Sequence, residues 1–428
     1  MIVRRSTPHP YGASTRSLGE LWVASRPVSS PTRLHGTDLD MLLSTRLRRG
    51  LTGSVLEKRT ATVVFEAADS GVWTVDIAGG RGRVRRGSSP RPTLLVRSSV
   101  DVLAGVVSGR DSGVHAFLDG RLTVRGDLAL SLQLDGLFAT DADRPPELPR
   151  SRQALAMGVR TSYLEAGPPE APPVLLLHGL GATNASMLPV LADLAADHRV
   201  IAPDCPGFGA SDAPRGPYTP AWFAAWVDAF QRVTDSRGSV LVGNSLGGRI
   251  ALECGLAHPR SVRGLVLLTP SPAFRRLRQY VPLVRLLSPQ LARVPLPISH
   301  DLVVRSIRVM FSDPDRLPAA WYDAAADEAT RVLSDRAHRV AFFSCARQIY
   351  LEDAYGRSGF WHRLPGLLPP ALFVWGDRDR LVPSSFARHV GDCLPSARQI
   401  VMEDTGHVPQ FEHPAETMAL VRGFLAQL

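Results

Sequence analysis

Lysine is nearly missing from this chain: Lys58 stands alone beside 48 arginines, which carry the net charge of +9. No zinc finger, RNP-type motif or aromatic-interleaved basic stripe accompanies them, so no nucleic-acid partner is expected. Transient contact with an anionic membrane surface is compatible with the charge. Cysteine is also scarce. Cys205, Cys254, Cys345 and Cys393 lie far apart with no CxxC among them, which argues against a disulfide framework or a metal centre and suggests reduced thiols in a cytoplasmic protein. No apolar run approaches the roughly 20 residues of a membrane-spanning helix. The N-terminal "MIVRRSTPHPYGASTRS" has arginines but no apolar stretch after them, so no secretory signal is expected.

What is present is a globular composition, 44% hydrophobic and 21% charged over 428 residues, enough for two or three compact units. Residues 1–33 are rich in Ser, Pro, Thr and Arg without periodicity and read as a disordered arm. A second break, "ATDADRPPELPRSRQ", opens a linker assigned to 139–155. Between them, 34–138 reads as a small α+β unit. Val63 and Phe65, then Trp73, Val75 and Ile77, alternate with polar residues around Asp69-Ser70-Gly71, the pattern of an antiparallel hairpin. "SVDVLAGVVSGR" places Val100, Leu103 and Val107 on one helical face. A strand through Leu122 and Val124 and a helix through Leu128, Leu130, Leu132 and Leu134 follow. This half has no Ser/His/Asp set, metal spacing or phosphate loop, so binding is a better expectation here than chemistry.

The meander, "DVLAGVVSGR" and above all "GRLTVRGD" before a leucine-rich segment resemble the sterol carrier protein 2 family of lipid-binding domains, over about residues 35–138. The resemblance implies an apolar tunnel between sheet and helices for a sterol, fatty acid or acyl chain.

From residue 156 short apolar strands alternate with helical stretches: "PPVLLLHG", "HRVIAPDCPG", "GSVLVGNS", "RGLVLLTPS", "PALFVWGD" and "ARQIVMEDTG". The fold class is therefore α/β with a mostly parallel sheet, preceded by the smaller α+β unit. An arginine-, leucine- and proline-rich interval, about 271–364, interrupts the rhythm and reads as a helical cap. Within it "FRRLRQYVPLVRLLSP" gathers Phe274, Leu277, Val281 and Val284 on one face, which would suit a membrane surface, a substrate tunnel or packing on its own domain.

Ser245, in "LVGNSLGGRI", sits where an apolar strand meets a helix. Side chains at Gly243 and Gly247 would collide with strand and helix at so sharp a turn. The helix N-terminus offers the amide of Leu246. A serine needs a base, and His407, in "EDTGHVPQFEHP", follows the last strand; His413 is its rival. The base needs an acid. "FVWGDRDRLVP" offers Asp379, with Asp377, directly after Gly376, read as a turn cap. The loop "LLHGLGA" supplies a second oxyanion donor, the amide of Leu180, with Gly179 and His178 shaping the loop and His178 transferring no proton.

The order serine, acid, histidine, with "LLLHGLGA", "DCPGFGASD", "VGNSLGG", "VWGDRDRLVP" and "DTGHVPQFEHP", resembles the α/β-hydrolase family over about 156–428. It implies a serine hydrolase with Ser245, Asp379 and His407 as triad, without metal or cofactor. Serine at 245 argues against the dehalogenase and epoxide hydrolase branches, whose nucleophile is aspartate. The fusion suggests a hydrophobic ester substrate for a cytoplasmic enzyme, peripheral at membranes if the lipid contact is made. Carbon–carbon hydrolysis of the meta-cleavage type and acyl transfer suit the same triad. A non-catalytic lipid carrier or sensor is the alternative of another class.

Overall fold

A computed structural model describes residues 2–4, 36–47, 56–134, 137–138, 147–273, 288–289, 292 and 299–428. They form two sheets. The short strand β1 (Ile2–Arg4) belongs to the second sheet and is followed by helix α1 (Gly36–Arg46). Strands β2 (Ala61–Ala67), β3 (Gly71–Ala78), β4 (Arg81–Arg86) and β5 (Leu94–Ser98) lead to helices α2 (Val100–Ser108) and α3 (Gly113–Leu118). Strand β6 (Thr123–Gly126) and helix α4 (Leu128–Ser131) complete this part. The sheet order is β4-β3-β2-β5-β6, with β2 and β5 parallel and the other pairs antiparallel. Helix α2 has a cap at each end: the Ser99 side chain accepts from Val102 N, and Gly109 stops the helix in a left-handed conformation at φ 75°. The helix expected through Leu134 ends at Ser131. There the serine hydroxyl bonds back to Leu128 O, and Gln133 N reaches Leu130 O in a tighter turn.

The second sheet has nine strands. Following β7 (Arg150–Ala156), β8 (Val159–Ala166) and β9 (Pro173–Leu177) come helix α5 (Leu188–Leu194) and β10 (Arg199–Pro203). Helix α6 (Pro220–Val233), β11 (Ser239–Asn244), α7 (Leu246–Ala257) and β12 (Val262–Leu268) continue the alternation. The insertion contributes α8 (His300–Arg308), α9 (Ala319–Ser334), α10 (Arg336–Leu351) and α11 (Phe360–Arg363). Strand β13 (Ala371–Gly376), α12 (Phe386–Cys393), β14 (Arg398–Met402), α13 (Pro409–Glu412) and α14 (Pro414–Leu425) close the chain. The order is β1-β14-β13-β12-β11-β9-β10-β8-β7, parallel from β1 to β10 and antiparallel at β8 and β7.

The apolar strand runs are buried on both faces, as parallel sheets require. Alternate residues serve opposite cores: Leu175, Leu177, Leu241 and Leu265 pack with α6 and α7, whereas Val174, Leu176, Val242 and Val266 pack with α5 and α14. Two segments depart from the sequence expectation. Ile2–Arg4, assigned to a disordered arm, pair with β14, and β7 begins at Arg150, inside the expected linker. The β7–β8 hairpin turns through Met157 and Gly158, both at positive φ (50° and 73°), a two-residue turn that the pair Met-Gly does not advertise. The amphipathic stretch expected over Phe274–Val284 lies outside the described residues. No helix among the described residues is long and apolar enough to cross a membrane.

The smaller sheet's domain is seated on α9. Asp327 accepts from Arg125 Nε and Gly126 N, both at 2.8 Å. Asp127 pairs with Arg59 and, at 3.5 Å, with Arg331. Val114 and Leu118 from α3 join the core that contains Leu188 and Trp321. Replacing Asp327 by Ala should therefore cost about 1–2 kcal/mol, read as a lower melting temperature. Asp323→Ala removes only looser contacts, to Arg125 at 3.6 Å and to His300 at 3.8 Å, and should shift it little.

Candidate active site

Ser245 is the residue between β11 and α7, at φ 54° and ψ −113°, a region that only strongly determined structure imposes on a side chain. The glycines around it explain how. A Cβ on Gly243 would lie 2.4 Å from the Gly247 carbonyl carbon, and one on Gly247 would lie 2.0 Å from Leu177 O. Helix and strand thus approach as closely as bare backbone allows. Ser245 N donates to Leu268 O, and Ser245 O accepts from Arg249 and Ser271 amides. Leu246 opens α7, so its amide is among those that find no acceptor within the helix. The loop after β9 runs against this turn: a Cβ on Gly179 would stand 3.4 Å from the Cβ of Ser245. Leu180 follows in that loop.

His407 and Asp379 meet directly. His407 Nδ1 lies 2.7 Å from Asp379 Oδ2, both side chains being buried. The other carboxylate oxygen accepts from the amides of Leu381 and Val382 at 2.8 and 2.9 Å, so the acid is held from two sides. Asp377 is exposed, and its carboxylate accepts from Thr405 N. His413 is taken up elsewhere: its Nε2 faces Arg316 Nη1 at 2.7 Å.

The histidine loop is fixed to the serine turn through residues the sequence analysis did not single out. Asn244 Nδ2 and Thr269 Oγ1 both donate to His407 O, at 3.1 and 2.7 Å. Thr269 itself has φ 44°. On its other side the loop is held by the cap and by α13: His407 N donates to Met310 O, and Glu412 accepts from the amides of Gly406 and Ser312. The only signal for these roles was position, Asn244 beside the serine and Thr269 at the end of its strand. A buried ion cluster ties cap to elbow helix: Arg249, 1% exposed, bonds Glu253 and Glu352 and lies over the Phe360 ring.

His178 is fully buried, with Nδ1 donating to Gly179 O at 2.8 Å and Nε2 accepting from Cys205 N at 2.9 Å. Burial pushes its pKa down to about 4 against the opposing Gly179 bond. A neutral ring with both nitrogens engaged locks the loop's shape. Nearby, Asp204 accepts from the Asn184 and Ala210 amides, and burial pushes its carboxyl up to about 7.

In the smaller domain, an apolar cavity of about 100 Å³ lies between sheet and helices. Phe65, Leu103, Phe117, Leu128 and Phe138 line it, together with Leu188 from α5 of the larger domain.

Comparison with known proteins agrees with this division. The SCP-2 sterol transfer family model matches residues 45–139, and the alpha/beta hydrolase family model matches 174–420. A 2-hydroxymuconate semialdehyde hydrolase of a Pseudomonas species is 28% identical, with 66% of this chain and 95% of that protein covered. A pimeloyl-[acyl-carrier protein] methyl ester esterase of Aeromonas hydrophila is 26% identical, over 60% of this chain and 96% of that one. Among solved structures, a bacterial membrane phospholipase A superposes with a TM-score of 0.55 at 28% identity, covering 65% of this chain and 86% of its own. The larger domain thus has the fold of a hydrolase. The chain belongs to the alpha/beta hydrolase family, with an N-terminal SCP-2 sterol transfer domain.

The buried His178 gives a pH dependence. In the unfolded chain the ring titrates near 6.5 and in the folded one near 4, so between these values only the unfolded chain binds the proton. Stability therefore falls as pH drops from 6.5 to 4. Between pH 7.5 and 4.5, the unfolding free energy of the parent in urea should fall by about 2–3 kcal/mol more than that of His178→Gln.

Proposed function

We propose that the protein is a serine hydrolase that opens a hydrophobic carboxylic ester through an acyl-enzyme, its N-terminal domain binding lipid. The observation that carries this reading is the 2.7 Å contact of His407 with Asp379 on a loop tied to the strained turn of Ser245. His407, held by Asp379 in the tautomer protonated at Nδ1, takes the Ser245 proton at Nε2 as Oγ attacks the ester carbon. The tetrahedral oxyanion faces the amides of Leu180 and Leu246, one such donor being worth about 3 kcal/mol. Collapse expels the alcohol, which leaves with the proton from His407. Water, deprotonated by the same ring, then attacks the acyl-serine and releases the acid and Ser245.

The apolar lining of the N-terminal cavity and the SCP-2 family match support a lipid-like ligand. Carbon–carbon bond hydrolysis is the second reading, favoured by the similarity to 2-hydroxymuconate semialdehyde hydrolase. It uses the same serine, base and oxyanion site, so substrate choice separates the two.

A fluorophosphonate should label the parent and not Ser245→Ala, and the variant should lose at least about 1,000-fold in turnover of p-nitrophenyl esters. Longer acyl chains should raise kcat/KM over acetate. Equal labelling of the two proteins overturns the reading. A vinylogous diketone cleaved in preference to any ester selects carbon–carbon hydrolysis, and lipid co-purifying with an unreactive Ser245 selects a carrier.

A further inference from the structure

The cavity of the N-terminal domain and the histidine loop are joined by three rings in contact. Phe117, which lines the cavity, stacks on Trp321 of α9, with ring centroids 5.3 Å apart and planes 10° from parallel. Trp321 meets Phe411 edge-on at 5.5 Å and 83°. Phe411 lies in α13, the turn that follows His407, and its neighbour Glu412 holds the amides of Gly406 and Ser312. Trp321 is 9% exposed, and its indole N–H has no hydrogen-bond partner among the described residues. Ring contacts and packing therefore fix its place.

Size makes this chain of rings consequential. An apolar cavity of roughly 150 Å³ accommodates benzene, and this one is about 100 Å³. An alkyl chain of ten carbons is larger than this space and presses on its lining. Phe117 is part of that lining, and displacing it moves the ring stacked on Trp321.

We infer that an apolar chain bound in the N-terminal cavity slows the hydrolase, Trp321 acting as the positioning residue that transmits the displaced wall to the His407 loop. This rests on the hydrolase reading for its activity but not for its structural part. The coupling is one of position: Trp321 touches neither substrate nor reacting atoms. It braces the loop whose amides are bonded to Met310 O and Glu412.

Hydrogen–deuterium exchange of the full chain with 1-decanol tests it. The expected result is slower exchange over residues 112–134 and at least threefold faster exchange over 405–412. In Trp321→Ala the first effect should remain and the second vanish, while Trp321→Phe should restore it. If Trp321→Ala does not fold, Phe117→Leu breaks the same stack from the cavity side. In parallel, decanol should lower kcat for p-nitrophenyl acetate about threefold in the parent without raising KM, and leave the Trp321→Ala kcat unchanged. The inference is overturned if 112–134 show no protection, if 405–412 do not respond, if they respond equally in Trp321→Ala, or if only KM rises. Absence of fluorophosphonate labelling in the parent would defeat the hydrolase reading by itself, and the exchange arms would still decide the coupling.

Discussion

A serine can be presented at the tip of a buried strand only where the backbone on both sides closes to distances that no side chain would survive. Here that closure is the approach of Gly247 to Leu177 O and of Gly243 to Gly247. Much else follows from it. The turn forces Ser245 to positive φ, α7 starts immediately beyond, and the loop carrying Gly179 and Leu180 fits against the exposed side of the turn. Asn244, immediately before the serine, is then directed at the His407 carbonyl, so the same contact that bends the strand also sets the register of a loop 163 residues away.

The parts of this arrangement differ in how far they could be read from the sequence. The family and the order of strands and helices were legible because each strand is a short apolar run with Gly, Pro or Asp at its ends, and because Ser245, Asp379 and His407 each sit just beyond one. Burial on alternate sides of the sheet is the same pattern seen in three dimensions. The clamp of Asn244 and Thr269 on His407 was not legible. It joins residues distant in sequence, and neither an asparagine nor a threonine announces a backbone acceptor in advance. Trp321 was hidden for a related reason: its meaning lies in Phe117 and Phe411, which belong to other elements. The hairpin at Met157 and Gly158 escaped because neighbouring pairing imposes a left-handed turn on a methionine.

The insertion between β12 and β13 has a double role. The turn after α8 carries the Met310 carbonyl that meets His407 N, and α9 carries Asp327, which binds Arg125 and Gly126 of the N-terminal domain. Roof and seat are one piece of chain. The linker expected at residues 139–155 does not part the two sheets cleanly, since β1 lies before it and β7 begins within it. The smaller domain meets the larger at α9, through the ionic contacts of Asp327 and Arg331 and the stacking of Trp321 on Phe117.

The two rims of the large sheet show a different economy. An unpaired strand edge invites another chain to dock on its free amides and carbonyls. At one rim β14 is covered by the three residues of β1, too short to offer a long template of its own. At the other, β7 carries Arg150 and Arg152, the latter 3.5 Å from Glu165 of β8, and charge along an edge strand works against the docking of a second one. Among the described residues of a chain with a single lysine, the large sheet thus ends in a three-residue strand on one side and an arginine-bearing strand on the other.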